Sequence, residues 1–222
     1  MTLIKSISGI RGTIGGNYGE ALTPIDIVKF TSAYAKFIIN QDLDSNTIIL
    51  GRDARISGPM LKELVTGTLI GCGLNVLDLG LSTTPTVEVA VQLKKAAGGV
   101  ILTASHNPKE WNALKLLNNK GEFISEDDAN QILSIVDNEN FKFSNVNCLG
   151  NYSYDNDFND THINEVLNLD LVNVELVKSA KFTVVLDAVN SSGGIIVPIL
   201  LEKMGVKEVN GISFEEYKVS GL

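Results

Sequence analysis

"TIILGRDARISGPMLKELVTGTLIGCGLNVLDLG" occupies residues 47–80 and contains one complete turn of an architecture. The apolar, β-branched run at 47–50 reads as a buried strand. Ser57, Gly58 and Pro59 then open a helix, because proline is preorganised for the first helical turn and the N–H it lacks would be unpaired there. Leu61, Leu64, Val65, Thr68, Leu69 and Cys72 fall on one helical face, and Gly73 stands just past the end, where a left-handed residue is favoured. "NVLDL" (75–79) is a second strand. Strand, helix and strand in this order predict a right-handed parallel βαβ unit.

The pattern extends in both directions. Upstream, Thr23, Pro24 and Asp26 carry the signature of a capped helix start, followed by Ile27, Phe30, Tyr34, Phe37 and Ile38 at helical spacing. Downstream, "TTPT" (83–86) starts a third helix expected to run to about Ala97, and "GGVILT" (98–103) is another strand. "ALKLL" (113–117), "NNKG" and "EFI" (122–124) read as strand, turn and strand continuation. Ser125 with Asp128 three residues later caps a further helix, whose buried stripe is Ala129, Ile132, Leu133 and Val136. The expected fold class is α/β, an open sheet built mainly of βαβ units flanked by helices.

Composition changes over 138–160, a stretch rich in Asn, Asp and Ser without sustained periodicity. A domain boundary is expected there, giving a complete first domain at 1–150 and a similar but incomplete, truncated second domain at 151–222. In the second, one helix is expected from about Asp160 to Lys178, then the strand "FTVVLD" (182–187), the loop "AVNSSGG" (188–194), a helix ending at Gly205 and the strand "VKEVNGI" (206–212). The tail after 212 carries no clear element. Roughly 70 residues are few for an independent core, so exposed apolar surface and self-association through the second unit are expected.

A formal charge of −8 argues against nucleic acid as a partner, since a phosphate backbone calls for a basic stripe. Clustered arginines can still build a local pocket for a small anion. Cys72 and Cys148 form no CxxC pair, and with two histidines there is no zinc framework, so reduced thiols are expected. No run approaches the ~18 apolar residues of a bilayer span, and "MTLIKSISGIRG" lacks an apolar signal core. These features predict no membrane partner and a cytoplasmic protein.

Ligands of open α/β sheets bind beyond the carboxyl ends of the strands. Three loops are expected at that edge, 51–58, 80–86 and 103–112, and the last begins "TASHNP" (103–108). Ser105 is therefore a hydrolase nucleophile, a phosphate carrier or a turn residue. The hydrolase reading lacks the glycines of a nucleophile elbow, with Thr103 and Asn107 in their places. His106 is adjacent, so its side chain points away from that of Ser105 on extended backbone, and His162 lies across the domain boundary. "GCGLNV" (71–76) reads as a helix end and not as a nucleotide fingerprint. "VNSSGG" is either an anion cradle at a helix start or a flexible turn. A phosphorylated Ser105 would carry a charge of about −1.5 to −2 and need cations nearby. His106, Lys115, Arg52, Arg55 and Arg11 are the candidates, and Arg11, Arg52, Ser105 and Lys115 are expected to face one cleft.

"TASHNP" followed by "NALK" (112–115), "GRDARISG" (51–58) and "SGIRG" (8–12) together resemble the α-D-phosphohexomutase family, which includes phosphoglucomutase, phosphomannomutase and phosphoglucosamine mutase. The resemblance covers essentially residues 1–212, with "FTVVLDAVNSSGG" similar to the opening of the family's second domain. It implies reversible phosphoryl transfer between the C1 and C6 oxygens of a hexose phosphate through a phosphoserine at Ser105 and a bisphosphorylated sugar. Lys115 and Arg11 match positions beside the phosphoserine, in proton transfer or phosphate stabilisation, and His106 matches a flanking residue. Arg52, Arg55 and Asn107 are implied in substrate or phosphate binding, with Arg52 also partly structural and paired with Asp53. The start and the "TASHNPKEWNALKL" loop are most similar to phosphoglucosamine mutases.

There are departures. Ala54 and Ala113 replace two glycines usual in the family, which calls for slight loop adjustment. The family's Asp-x-Asp-x-Asp-Arg metal run, its sugar-reading Gly-Glu-x-Ser-Gly loop and its Arg-x-Ser-Gly-Thr phosphate loop do not occur in the sequence. The resemblance implies Mg²⁺ and a hexose 1,6-bisphosphate activator. Only the Ser105 phosphate would be available here as a metal ligand, too few oxygens for an octahedral ion. The chain is expected to be the N-terminal portion of a phosphohexomutase, inactive alone. The alternative is a non-catalytic remnant that binds a phosphosugar or a partner chain.

Overall fold

The computed structural model describes residues 1–6 and 9–212. From the amino terminus the elements are β1 (Ile4–Ser6), β2 (Gly9–Thr13), α1 (Pro24–Ile39), β3 (Thr47–Arg52), α2 (Gly58–Gly71), β4 (Asn75–Leu81), α3 (Thr84–Leu93), β5 (Gly98–Leu102), β6 (Trp111–Leu117), α4 (Glu126–Asp137), β7 (Tyr152–Tyr154), α5 (Phe158–Leu167), α6 (Val174–Ala180), β8 (Thr183–Asp187), α7 (Gly193–Lys203) and β9 (Glu208–Ile212). β1 to β7 form one seven-stranded sheet in the order β1-β2-β6-β5-β3-β4-β7, and β8 pairs with β9 in a second.

The βαβ reading holds for β3–α2–β4–α3–β5, whose strands run parallel in the middle of the sheet. β8–α7–β9 repeats the motif on a smaller scale. The other half of the large sheet is antiparallel, because β5 returns to β6 through the 103–110 loop, which is too short for a crossover helix. β2 and β1 continue that antiparallel half. "EFI" contributes a single bridge, between Phe123 and Leu117, and no longer strand.

Alternation along the central strands sends side chains to two cores. Ile48, Leu50, Val100, Leu102, Leu114 and Leu116 join α1, α2 and α4 on one face. Ile49, Ile101 and Leu117 join Val87, Ala90 and Val91 of α3 on the other. Strands buried on both faces need apolar residues at nearly every position, which is why these runs lack a polar alternation.

The helix ends follow their local chemistry. Thr23 with Asp26 and Ser125 with Asp128 form the expected capping boxes. α3 stops at Leu93, short of the expected Ala97, because Lys95 takes a φ of 50° that no helix continues. The single helix expected at 160–178 is two. α5 ends at Leu167, and Asn173 restarts the chain as the cap of α6, accepting from the Leu176 N–H at 2.9 Å. The apolar spacing runs through both, but Asn and Asp between them compete for the backbone.

Within the 138–160 stretch, where no element was expected, β7 pairs in parallel with β4, Val76 opposite Tyr152. Phe158 of α5 is buried in the core shared with α3. Hydrogen bonding and packing thus continue past residue 150. The tail from 213 lies outside the described residues.

Candidate active site

The carboxyl ends of β3, β4 and β5 are level, since Arg52 pairs with both Leu81 and Leu102. The loops 51–58, 80–86 and 103–110 therefore emerge at one edge of the sheet. Asp53, just past β3, organises two of them. Its Oδ2 accepts from the Thr103 hydroxyl at 2.6 Å and from Arg55 Nε at 3.1 Å, while Oδ1 accepts from the Arg55 N–H at 3.0 Å.

Arg55 then spends both terminal nitrogens on the neighbouring loop and the first residue of β6. Nη1 donates to the carbonyls of Pro108 at 2.7 Å and Trp111 at 3.0 Å, and Nη2 to those of Asn107 at 2.7 Å and Ser105 at 2.8 Å. With Nε on Asp53, all five N–H donors of the side chain have a protein acceptor. Arg55 has no N–H left for a phosphate, so its place is to shape the loop and not, as expected, to bind the anion.

The loop so held presents Ser105 to solvent with a φ of 54°. A left-handed backbone costs a non-glycine residue about 1–2 kcal/mol, and such a conformation persists only where its surroundings impose it. Thr103 Oγ1 accepts the Ser105 N–H at 3.1 Å, Arg55 grips the carbonyl, and the Asn107 N–H closes a turn on Ala104 at 3.1 Å. His106 beside it is exposed and Asn107 half-buried. His162 stands elsewhere, its Nδ1 3.0 Å from Thr86 Oγ1 where α5 packs on α3.

Lys115 pairs with Ile101 and Arg11 with Ala113, so both cations lie on the α3 face near the carboxyl end of β5. Arg11 belongs to β2, and its Nε is buried without a hydrogen-bond partner among the described residues. The Lys115 ammonium sits 5.5 Å from the Phe123 ring centre. Glu88 of α3 is its anionic neighbour. Burial pushes the Glu88 carboxyl above its usual range, with the Lys115 charge opposing.

Arg52 departs from the expected cleft. It shares its face with Leu102 on the α2 side, opposite Arg11 and Lys115. Its Nη1 donates to the main-chain carbonyl of Asp53 at 3.1 Å, while the Asp53 carboxylate pairs with Arg55. Strand alternation decides this, since Gly51 faces α3 and the next residue must face away.

Among the described residues no cluster of three His, Cys, Asp or Glu side chains could hold a metal ion. Asp53, the carboxylate tied to the Ser105 loop, is already committed to Arg55 and Thr103. These residues do not by themselves fit the Mg²⁺ that the resemblance implies.

Residues 3–143 match the family described as phosphoglucomutase/phosphomannomutase, alpha/beta/alpha domain I. The chain belongs to that family. A phosphoglucomutase/phosphomannomutase of Thermococcus kodakarensis is 31% identical over 201 residues, covering 90% of this chain and 43% of the relative. A phosphoglucosamine/phosphogalactosamine mutase of Sulfurisphaera tokodaii is 31% identical, covering 91% of this chain and 43% of its own. The structure of a phosphoglucomutase/phosphomannomutase family protein from Burkholderia thailandensis shares the fold with a TM-score of 0.77 at 22% identity, over 95% of this chain and 44% of that one. The chain thus spans less than half the length of these relatives.

Within this family member, two residues escaped the sequence reading. Thr103 was visible as the hydroxyl at a strand end, but its partner Asp53 lies 50 residues away. Glu88 carried no signal, since its meeting with Lys115 depends on how α3 lies across β6. No described helix is long and apolar enough to cross a membrane.

Proposed function

We propose that this chain supplies the phosphoserine of a phosphohexomutase, which interconverts hexose 1-phosphate and hexose 6-phosphate through a bisphosphorylated sugar. The observation that carries the reading is the Ser105 loop: an exposed serine held at positive φ by Arg55 and Thr103, beside a sheet face bearing Arg11 and Lys115.

In the forward step a hexose hydroxyl oxygen attacks the phosphorus of phosphoserine 105. The P–O bond to Oγ breaks, and the hydroxyl proton ends on Oγ, leaving free serine and a sugar bisphosphate. After the sugar turns round, Ser105 Oγ takes the other phosphoryl group back. Transfer of this kind is favoured by positioning and charge neutralisation more than by covalent activation. Fixed backbone around Ser105 supports the positioning. Arg11 and Lys115, which share one sheet face, support the neutralisation, and Lys115 would relay the hydroxyl proton. His106 and Asn107 flank the same loop. In the complete enzyme a divalent ion would add neutralising charge, and hexose 1,6-bisphosphate would load the serine.

Relatives named as phosphoglucomutase/phosphomannomutase and phosphoglucosamine/phosphogalactosamine mutase support hexose phosphates as the substrate class. The test is incubation with glucose 1,6-bisphosphate and Mg²⁺, with the modified residue mapped by mass spectrometry. Phosphate on Ser105, absent from Ser105→Ala, is the expected result. Label persisting elsewhere in Ser105→Ala overturns the assignment. Binding of hexose phosphate with no labelling at all would favour the non-catalytic alternative.

A further inference from the structure

Beyond the ends of β3 and β4, between α2 and α5, a cavity of about 540 Å³ opens that includes neither Arg11 nor Lys115. Arg52, Lys62, Asp78, Tyr152, Tyr154 and Asn159 are among its lining residues, and Ile195 of α7 closes one side. Volumes of a few hundred Å³ suit small-molecule ligands.

The polar groups around it are unevenly satisfied. Asp78 is almost wholly buried yet fully provided for: Tyr152 OH donates to Oδ2 at 2.9 Å, the Gly80 N–H to Oδ1 at 2.8 Å, and the Lys62 ammonium lies 3.4 Å from Oδ2. Burial opposes the Lys62 charge, but Asp78, Glu63 and Tyr152 together outweigh it and raise its pKa, so the ammonium is already matched by Asp78 and by Glu63 at 3.2 Å. Arg52 is left as the uncompensated charge, because Asp53 is turned to Arg55. Two buried atoms have no hydrogen-bond partner among the described residues, Arg52 Nε and Asn159 Oδ1. Asn159 uses only its amide nitrogen, which donates to the Leu81 carbonyl at 3.2 Å.

Buried polar atoms in native proteins are nearly always paired, and an unpaired one costs about 1–3 kcal/mol. A buried cationic donor and a buried acceptor lining one polar cavity call for an occupant with the opposite groups. We infer that this cavity is a second ligand site, one that takes a small hydroxylated oxyanion. The anionic group pairs with the Arg52 guanidinium, and a hydroxyl donates to Asn159 Oδ1. The Tyr154 hydroxyl, bonded only to exposed Asn156 at 3.3 Å, is available for a further hydroxyl. Phosphate and carboxylate share this chemistry, and a sugar phosphate or a sugar acid would each supply both ends. Neither Ser105 nor Arg11 nor Lys115 is among its lining residues, so occupancy does not require the phosphoserine.

Isothermal titration of the full chain with glucose 6-phosphate, gluconate and inorganic phosphate tests this. Saturable 1:1 binding of glucose 6-phosphate or gluconate, unchanged in Ser105→Ala, is expected, and whichever binds more tightly identifies the oxyanion. Arg52→Met should weaken it by about tenfold or more, the loss typical of a charge-assisted pair. Asn159→Leu and Tyr154→Phe, which leave the charge in place, should weaken the hydroxylated ligands and leave inorganic phosphate unaffected. Circular dichroism on each variant separates lost binding from lost folding. No saturable binding by any of the three, or binding that survives Arg52→Met and Asn159→Leu but disappears in Lys115→Ala, overturns the inference. Failure here leaves Ser105 labelling untouched, so the two readings fail separately.

Discussion

Arg55 Nη2 holds the main-chain carbonyl of Ser105 at 2.8 Å, across 50 residues of sequence. The bond joins the loop after β3 to the loop after β5, and the same side chain takes two more carbonyls of that second loop and that of Trp111 at the start of β6. The backbone of the candidate phosphoserine is thereby fixed by a residue whose N–H donors are all engaged within the protein.

Arg55→Lys is therefore expected to act on both stability and Ser105 chemistry. One ammonium cannot span the fork of carbonyls that a planar guanidinium reaches, so several acceptors lose their partner. Urea denaturation should show a loss of about 2 kcal/mol. Phosphate incorporation into Ser105 should slow by about tenfold or more through lost positioning. Unchanged incorporation would mean that the loop holds its shape without the clamp.

Glu88 gives a pH signature. Burial raises its pKa in the folded state, so the folded protein holds this proton more tightly than the unfolded chain. Its contribution to stability falls as pH rises from the unfolded value, near 4.5, through the folded one. Glu88→Gln should thus gain stability over wild type at pH 7 and lose that advantage near pH 4. Denaturation midpoints at the two pH values check it, and an advantage that grows on acidification contradicts it.

His162 works in the opposite direction. Burial between α3 and α5 lowers its pKa from 6.5, so below that pH the unfolded chain takes up a proton that the folded state refuses. Stability should fall as pH drops through 6.5 towards the folded value. His162→Gln should flatten that part of the profile, read as the difference in unfolding free energy between wild type and variant from pH 7.5 to 5.5.

Tyr34 anchors α1 to the sheet. Its buried hydroxyl donates to the Leu117 carbonyl at 2.7 Å and approaches that of Gly99 at 3.2 Å, and burial raises the phenol pKa so that it stays a donor. Tyr34→Phe should cost about 1–3 kcal/mol by leaving buried carbonyls without a donor. Gly98 lets this hydroxyl approach, since a Cβ there would run into Tyr34 OH and stand 2.8 Å from the Leu117 carbonyl. Gly98→Ala should also lose about 1–3 kcal/mol through overpacking. Thermal unfolding of both variants and the double mutant checks the pair, and the double mutant should lose less than the sum.

The sequence by itself determined the central strand–helix alternation from α1 to β5 and its order. The spacing of Leu61, Val65 and Leu69, the apolar runs at 47–50 and 98–102, and the caps at Thr23 and Ser125 are local patterns, and each became the element it indicated. "TASHNP" also marked Ser105 before any fold was known. Tertiary structure alone decided which charges do what. Arg11, Arg52 and Arg55 are chemically alike in the sequence, yet Arg11 lies with Lys115, Arg52 lines a separate cavity and Arg55 clamps the loop. The clamp could not be read because its acceptors are backbone carbonyls, which every residue carries alike. The turning away of Arg52 was latent in strand alternation, but only register against β5 fixed which face it took. Likewise the break between α5 and α6 and the pairing of β7 with β4 depend on long-range packing, which periodicity within one segment does not encode.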